Sequence, residues 1–388
     1  MAFHSLRLPD LPAWRAYQRY SSRVAEALEA AYRELFAGPD DKRTYLGALR
    51  RIEAVQNLPM CLPQRDRVNY VKSWVFRKLD EDELSLDAID DTIDIAYTLG
   101  DLASLRDALH FRGPMLRRVA LFGQAAEDLS LALAVHRRIS ELLSESDPLL
   151  ELDLLTQLVT YEFFTAHYDA ATRLSAEARS LAARIPELTA TRKGKLVSAT
   201  LDLGDAHLYR WSGQSTLARA AASNAAEIYA ELEAAISAGR VRTLLCDCTL
   251  DQIERLPLGT TRDDLIRQTR DDLQLAQNFA RESNDYTGTR MIELRQARYS
   301  RLTGRNEDRV AAIEGVANAA QSLGDESVLS EAFTYLGDEL AARGEIQSAL
   351  NRYRQAIAVL DGSEALAWET WPRRALHQWY EQHPTTLD

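Results

Sequence analysis

The sequence predicts an all-α protein, a right-handed α-solenoid of about eight helical hairpins. Three observations carry that reading. Only 17 Gly and 11 Pro occur in 388 residues, well below the ~12% of average composition, so turn punctuation is scarce. Ala, Leu, Arg and Glu, all strong helix formers, fill the space instead. Short turns between paired amphipathic stretches recur at a near-constant step of 40–47 residues along the whole chain, and a fixed period of that size marks stacked repeats.

Taken in order, hairpin turns are expected at Gly38 to Asp40, Asp80 to Asp82, Gly123, Ala166 with His167, Gly213, Gly259, Gly304 and Gly344. A second set, joining each hairpin to the next, is expected at Leu99 to Asp101, Ser144 to Asp147, Ile185 to Glu187, Ala238 with Gly239, Ser283 to Asp285 and Leu323 to Asp325. Asp and Ser in these turns suit helix N-caps, where a side-chain oxygen accepts a free backbone N–H. Gly suits a left-handed helix stop. Residues 1–60, with an amphipathic helix from Trp14 to Phe36, read as an N-terminal helical cap. Residues 61–360 read as the repeats, and residues 361–388 as a C-terminal capping helix and tail. Trp368, Trp371, Trp379 and Tyr380 make that last segment aromatic. A solenoid exposes the core of its final repeat, so covering that core is their expected role, with docking of a partner as the alternative.

The clearest repeat runs from Phe333 to Ala356, with Leu336, Gly337, Leu340, Gly344, Ala349 and Tyr353 at the marked positions. Gly337 and Ala349 let two antiparallel helices approach closely, Phe333, Leu340 and Tyr353 fill the space around that contact, and Gly344 turns the chain. These residue types resemble the tetratricopeptide (TPR) pattern. Tyr209, Ala218, Ala222 and Ala225 repeat part of it around Gly213; Leu158, Tyr168, Ala171, Ser175 and Ala178 do so around Ala166. The step exceeds the 34 residues of a TPR and overlaps that of HEAT repeats. Long-helix TPR-like repeats of a bacterial regulatory type fit best. Size and layout are also similar to the Rap-type peptide receptors, which join an N-terminal helical bundle to TPR repeats. No motif carries over particular ligand-binding residues from that family.

The formal charge of -12 argues against direct nucleic-acid binding, which needs a basic face to displace counterions from phosphate. Only five Lys are present, at 42, 72, 78, 193 and 195, without a polybasic cluster. Cys61, Cys246 and Cys248 are too few for a disulfide framework. The first residues, Met1 to Arg7, lack the charged and then apolar pattern of a secretory leader, and no apolar run approaches ~20 residues. A cytoplasmic protein without membrane association is expected.

Asp90, Asp91 and Asp94 fit the DDxxD pattern with which helical terpene synthases hold magnesium and a diphosphate. The companion motif fails, because Leu275 and Phe279 follow Asp271 and Asp272 where a hydroxyl and an acid are required, and Arg267 follows Asp263 and Asp264. An acidic solvent face is the preferred reading, and a magnesium-dependent diphosphate-processing enzyme the alternative. The seven His, at 4, 110, 136, 167, 207, 377 and 383, are scattered. Cys246 and Cys248 lie two apart, pointing to different sides of a helix, and lack the second pair of a zinc site. Phosphate loops and nucleophile elbows are absent. Neither a catalytic residue nor a metal or cofactor is expected.

What remains is surface. Stacked hairpins line a concave groove with the first helix of each pair. Thr160, Phe163 and Phe164, then His207, Arg210 and Trp211, then Arg295, Arg298 and Arg301 are placed there. Arginine forks match carboxylates and flat aromatics anchor apolar side chains. The expected function is that of a non-enzymatic scaffold or regulator binding a protein or peptide segment in the groove, with homo-oligomerisation open.

Overall fold

The computed structural model describes residues 12–39, 41–144, 146–186, 188–304 and 308–382, the side chains of 12–20 and 382 excepted. Met1 to Arg7, including His4, and Asp40, Glu145, Glu187, His383 and the Trp14 side chain lie outside the described residues. Among those described there are 17 α-helices, two short 3-10 turns and no strand. The helices follow one another as antiparallel pairs, the architecture of a TPR-like α-solenoid. None is long and apolar enough to cross a membrane.

The chain forms two compact units, residues 1–119 with 127–146, and residues 120–126 with 147–388. In the first, α1 (Pro12–Ala37), α2 (Lys42–Gln56) and α3 (Leu62–Lys78) share one core around Val24, Ala31, Tyr45, Ile52 and Val75. Next come α4 (Asp82–Leu99), α5 (Leu102–Arg118) and α6 (Phe122–Leu143), whose first residues, up to Ala126, belong to the second unit. Trp74 bridges the two parts of this unit, meeting Phe36 at 5.3 Å and Phe111 at 4.6 Å between ring centres.

The second unit stacks five hairpins. They are α7 (Pro148–Phe164) with α8 (Tyr168–Ala182), α9 (Arg192–Trp211) with α10 (Ser215–Glu231), and α11 (Ala235–Arg255) with α12 (Thr260–Glu282). Then follow α13 (Tyr286–Leu302) with α14 (Arg309–Leu323), and α15 (Glu326–Ala342) with α16 (Ile346–Ala358), before a final α17 (Thr370–Gln382). Asp147, Asp285 and Asp325 cap α7, α13 and α15 by accepting the N–H three residues on, as their turns led one to expect. Alanine fills the seam between α9 and α10, with Ala206, Ala218, Ala222 and Ala225 fully buried.

Two of the expected turns are displaced. The α5–α6 turn lies before Gly123, where Ala120 takes a left-handed φ of 61°, and the α10–α11 turn centres on Glu233 with φ of 57° rather than on Ala238 and Gly239. Non-glycine residues carry the left-handed backbone at both places. Gly239 serves instead inside α11, where an added Cβ would stand 3.2 Å from Phe279 on α12.

Candidate functional site

The first helices of the second unit pack on one another, α7 on α9, α11 on α13 and α13 on α15. Along their shared wall the sequence sets complementary stripes. Asp247, Asp251 and Glu254 recur at helical spacing on α11, Arg295, Arg298 and Arg301 on α13, and Glu331, Tyr335 and Asp338 on α15. The arginines of α13 therefore stand between two acidic helices.

The pairing is dense. Arg295 reaches Asp247 through Nη2 at 2.6 Å and through Nε at 3.1 Å, while its outer edge holds Glu331 at 2.5 and 2.6 Å. Arg298 donates to Asp251 at 2.7 Å and to Glu254 at 2.8 Å, and Arg301 reaches Glu254 at 3.0 Å. From α9, Arg210 meets Asp251 at 2.9 Å and Asp247 at 3.3 Å. Tyr335 adds its hydroxyl to Asp247 at 3.3 Å. Charge-assisted forks of this kind fix geometry as well as supply energy.

Asp247 is only 1% exposed. Burial by itself would raise its carboxyl, but the guanidiniums of Arg210 and Arg295 hold it below the usual carboxylate range. The same balance of burial against Arg210 and Arg298 keeps Asp251 low. At Asp338 burial wins: its carboxyl is raised even though it accepts a 2.8 Å bond from Tyr353.

The residues expected to line the groove are thus distributed unevenly. Arg210, Arg295, Arg298 and Arg301 join one ionic network, with their forks engaged by acids of the same chain. Thr160 is buried and donates to the Thr156 carbonyl. Phe163, Phe164 and His207 form a separate ring cluster, His207 lying 5.1 and 5.6 Å from the two phenyl centres. Trp211 stacks on Tyr168 at 4.1 Å. The acids that complete the network were not singled out from the sequence. Their signal is present as matching helical spacings on helices one repeat apart, and Asp247 sits between Cys246 and Cys248.

Burial, then the charge of Arg210, pushes His207 down from 6.5 to about 4. An unfolded chain takes up this proton between those values and the folded chain does not, so stability falls as pH drops from 6.5 towards 4. His207→Phe is expected to flatten that fall by up to about 3 kcal/mol, read as the difference in urea unfolding between pH 7 and pH 4. An unchanged slope would place the acid sensitivity elsewhere.

The C-terminal segment closes over this wall. Trp368 stacks on Phe164 at 6.2 Å. The Trp371 ring is flanked by the guanidiniums of Arg210 at 4.9 Å and Arg374 at 5.2 Å. Arg374 also donates to the Trp211 carbonyl at 3.2 Å, and the Tyr168 and Thr370 hydroxyls meet at 2.5 Å. Between segment and wall lies a cleft of about 370 Å³, lined by Arg210, Asp251, Glu254, Tyr335, Trp368 and Trp371 among others.

The other motifs fall elsewhere. Asp90, Asp91 and Asp94 are exposed on α4; Asp90 pairs with Arg112 at 2.7 Å, and Asp91 accepts from Asn69 at 3.3 Å. Among the described residues, no three His, Cys, Asp or Glu are arranged to hold a metal ion. Cys246 and Cys248 are free and buried on opposite sides of α11, one in the core with α12 and the other in the core with α10. Burial raises both thiols, Cys248 to about 12.

No family model matches the sequence, and no curated protein is significantly similar to it. Solved structures do match. The apo form of the quorum sensor NprR from B. thuringiensis superposes with a TM-score of 0.60 at 12% identity, over 88% of this chain and 87% of that one. Aspartyl phosphate phosphatase F from Bacillus subtilis gives 0.59 at 12% identity, over 90% and 85%. A Rap protein in complex with Competence and Sporulation Factor gives 0.54 at 12% identity, over 94% and 98%. The likeness is one of fold, and the chain has the helical-repeat architecture of the Rap and NprR structures.

Proposed function

We propose that the protein is a non-enzymatic regulator that recognises a peptide or protein segment on the wall of first helices in its second unit. The observation that carries this reading is the stretch of wall under the C-terminal segment, where the Phe164, Tyr168 and Trp211 rings lie alongside the Arg210–Asp251 pair. Flat aromatic rings, charges of both signs and a rigid ionic floor converge there, as peptide recognition requires. The floor is pre-organised, so binding would not have to order it. The similar NprR structure is that of a quorum sensor, and the similar Rap structure is a complex with Competence and Sporulation Factor, which supports a regulatory ligand for this fold.

Panning a displayed library of random 12-residue peptides against the full chain, and against its Trp371→Ala variant, tests the reading. Enriched peptides are expected to lose at least about tenfold in affinity when Trp211→Ala is added, a typical loss for an aromatic anchor. No enrichment on either protein, or binding indifferent to Trp211, would overturn it.

A further inference from the structure

The C-terminal aromatics divide into two groups with different neighbours. Trp379 and Tyr380 stay with the last hairpin, where the Tyr380 hydroxyl accepts from Arg354 of α16 at 2.6 Å. A cap for a final repeat has to touch only that repeat. Residues 364–374 go much further. Glu364 accepts the backbone N–H of Gly123 at 2.7 Å and of Gln124 at 3.4 Å, 241 and 240 residues earlier, at the first turn of α6. Trp368 lies on Phe164 of α7, Thr370 bonds Tyr168 of α8, and Trp371 and Arg374 engage Arg210 and Trp211 of α9.

These contacts are those of a bound peptide. A carboxylate sits on free amides at a helix start, where the helix dipole favours negative charge. Two indoles follow four and seven residues later, one on an aromatic ring and one beside a guanidinium, arrangements that gain from stacking and cation–π attraction. The segment also packs on α15 and α16 of the last hairpin, as a cap would, but these partners on α6 to α9 lie on hairpins that a cap has no need to reach.

We infer that Glu364–Arg374 is an internal stand-in for the ligand, and that the partner this wall accepts is a peptide carrying a carboxylate with aromatic side chains four and seven residues beyond it. The inference rests on the proposed peptide recognition and specifies it. Tethering gives the internal segment an effective concentration of about millimolar, so an outside peptide has to displace it. Ligand binding would therefore free the segment, and release of 364–374 becomes the signal that occupancy sends.

A synthetic, amidated peptide of residues 362–375, labelled at its N-terminus, is the probe. By fluorescence anisotropy it is expected to bind the full-length Trp368→Ala, Trp371→Ala variant at least about tenfold more tightly than wild type, because the weakened internal copy no longer competes. The same probe with Glu364→Gln should lose most of that binding. Arg374→Ala, an exposed position, serves as a milder opening variant should the double variant misfold by circular dichroism. Equal binding to wild type and to opened variants, or to neither, would overturn the inference. Panned peptides that still bind in a Trp211-dependent manner would then leave the peptide-recognition reading standing, and their absence would remove both.

Discussion

Asp247→Ala is expected to lower the stability of the second unit by about 3–5 kcal/mol, the cost of removing one partner from a buried ionic network. The substitution leaves Arg295, which is 3% exposed, with Glu331, a carbonyl and the Tyr335 ring, and removes one of two acids from Arg210. Against a total of about 5–15 kcal/mol for a typical domain, such a loss is severe. Chemical denaturation followed by circular dichroism measures it. Adding Asp247→Leu and Glu331→Leu to Arg295→Leu should be less damaging than Arg295→Leu alone, because the arginine and both acids it holds are then removed together with their desolvation penalty. A loss below about 1 kcal/mol for Asp247→Ala would mean that water reaches the network and screens it.

The second large effect is expected at Gly337. An added Cβ on this residue of α15 would run into the Tyr353 ring of α16, and that ring is held in place by its bond to Asp338 at 2.8 Å. Gly337→Val should therefore cost about 2–4 kcal/mol, combining overpacking with a weakened buried hydrogen bond. Gly315 supplies the control. It lies within α14 with open space beside it, so Gly315→Ala should stabilise by about 0.5–1 kcal/mol through helix propensity alone. Thermal unfolding of the two variants should shift in opposite directions. Parallel shifts would show that helix propensity, not close approach, decides at Gly337.

The period was legible in the sequence because its punctuation is chemical: Asp285 and Asp325 announce helix starts, and Gly213, Gly324 and Gly344 carry the left-handed stops. It failed where Ala120 and Glu233 accept a strained φ that their side chains give no sign of, and where Gly123 and Gly239 make close contacts instead of turns. The arginine stripe on α13 was equally visible. Its partners were not, since ion pairing between Arg298 and Glu254 joins positions 44 apart in the chain, and only the stacking register decides which acid meets which arginine. The aromatic richness of residues 366–380 was plain, but composition alone does not tell a ring that seals a neighbour from one that reaches back across several hairpins.

The bond from Glu364 to Gly123 also changes how this array comes apart. A linear stack whose members touch only adjacent members frays from its ends, each loss nearly independent of the rest. Here the last segment clasps the first turn of α6 and the rings of α7 to α9, so the two ends of the unit are tied to each other. Fraying from either end has to break that clasp first.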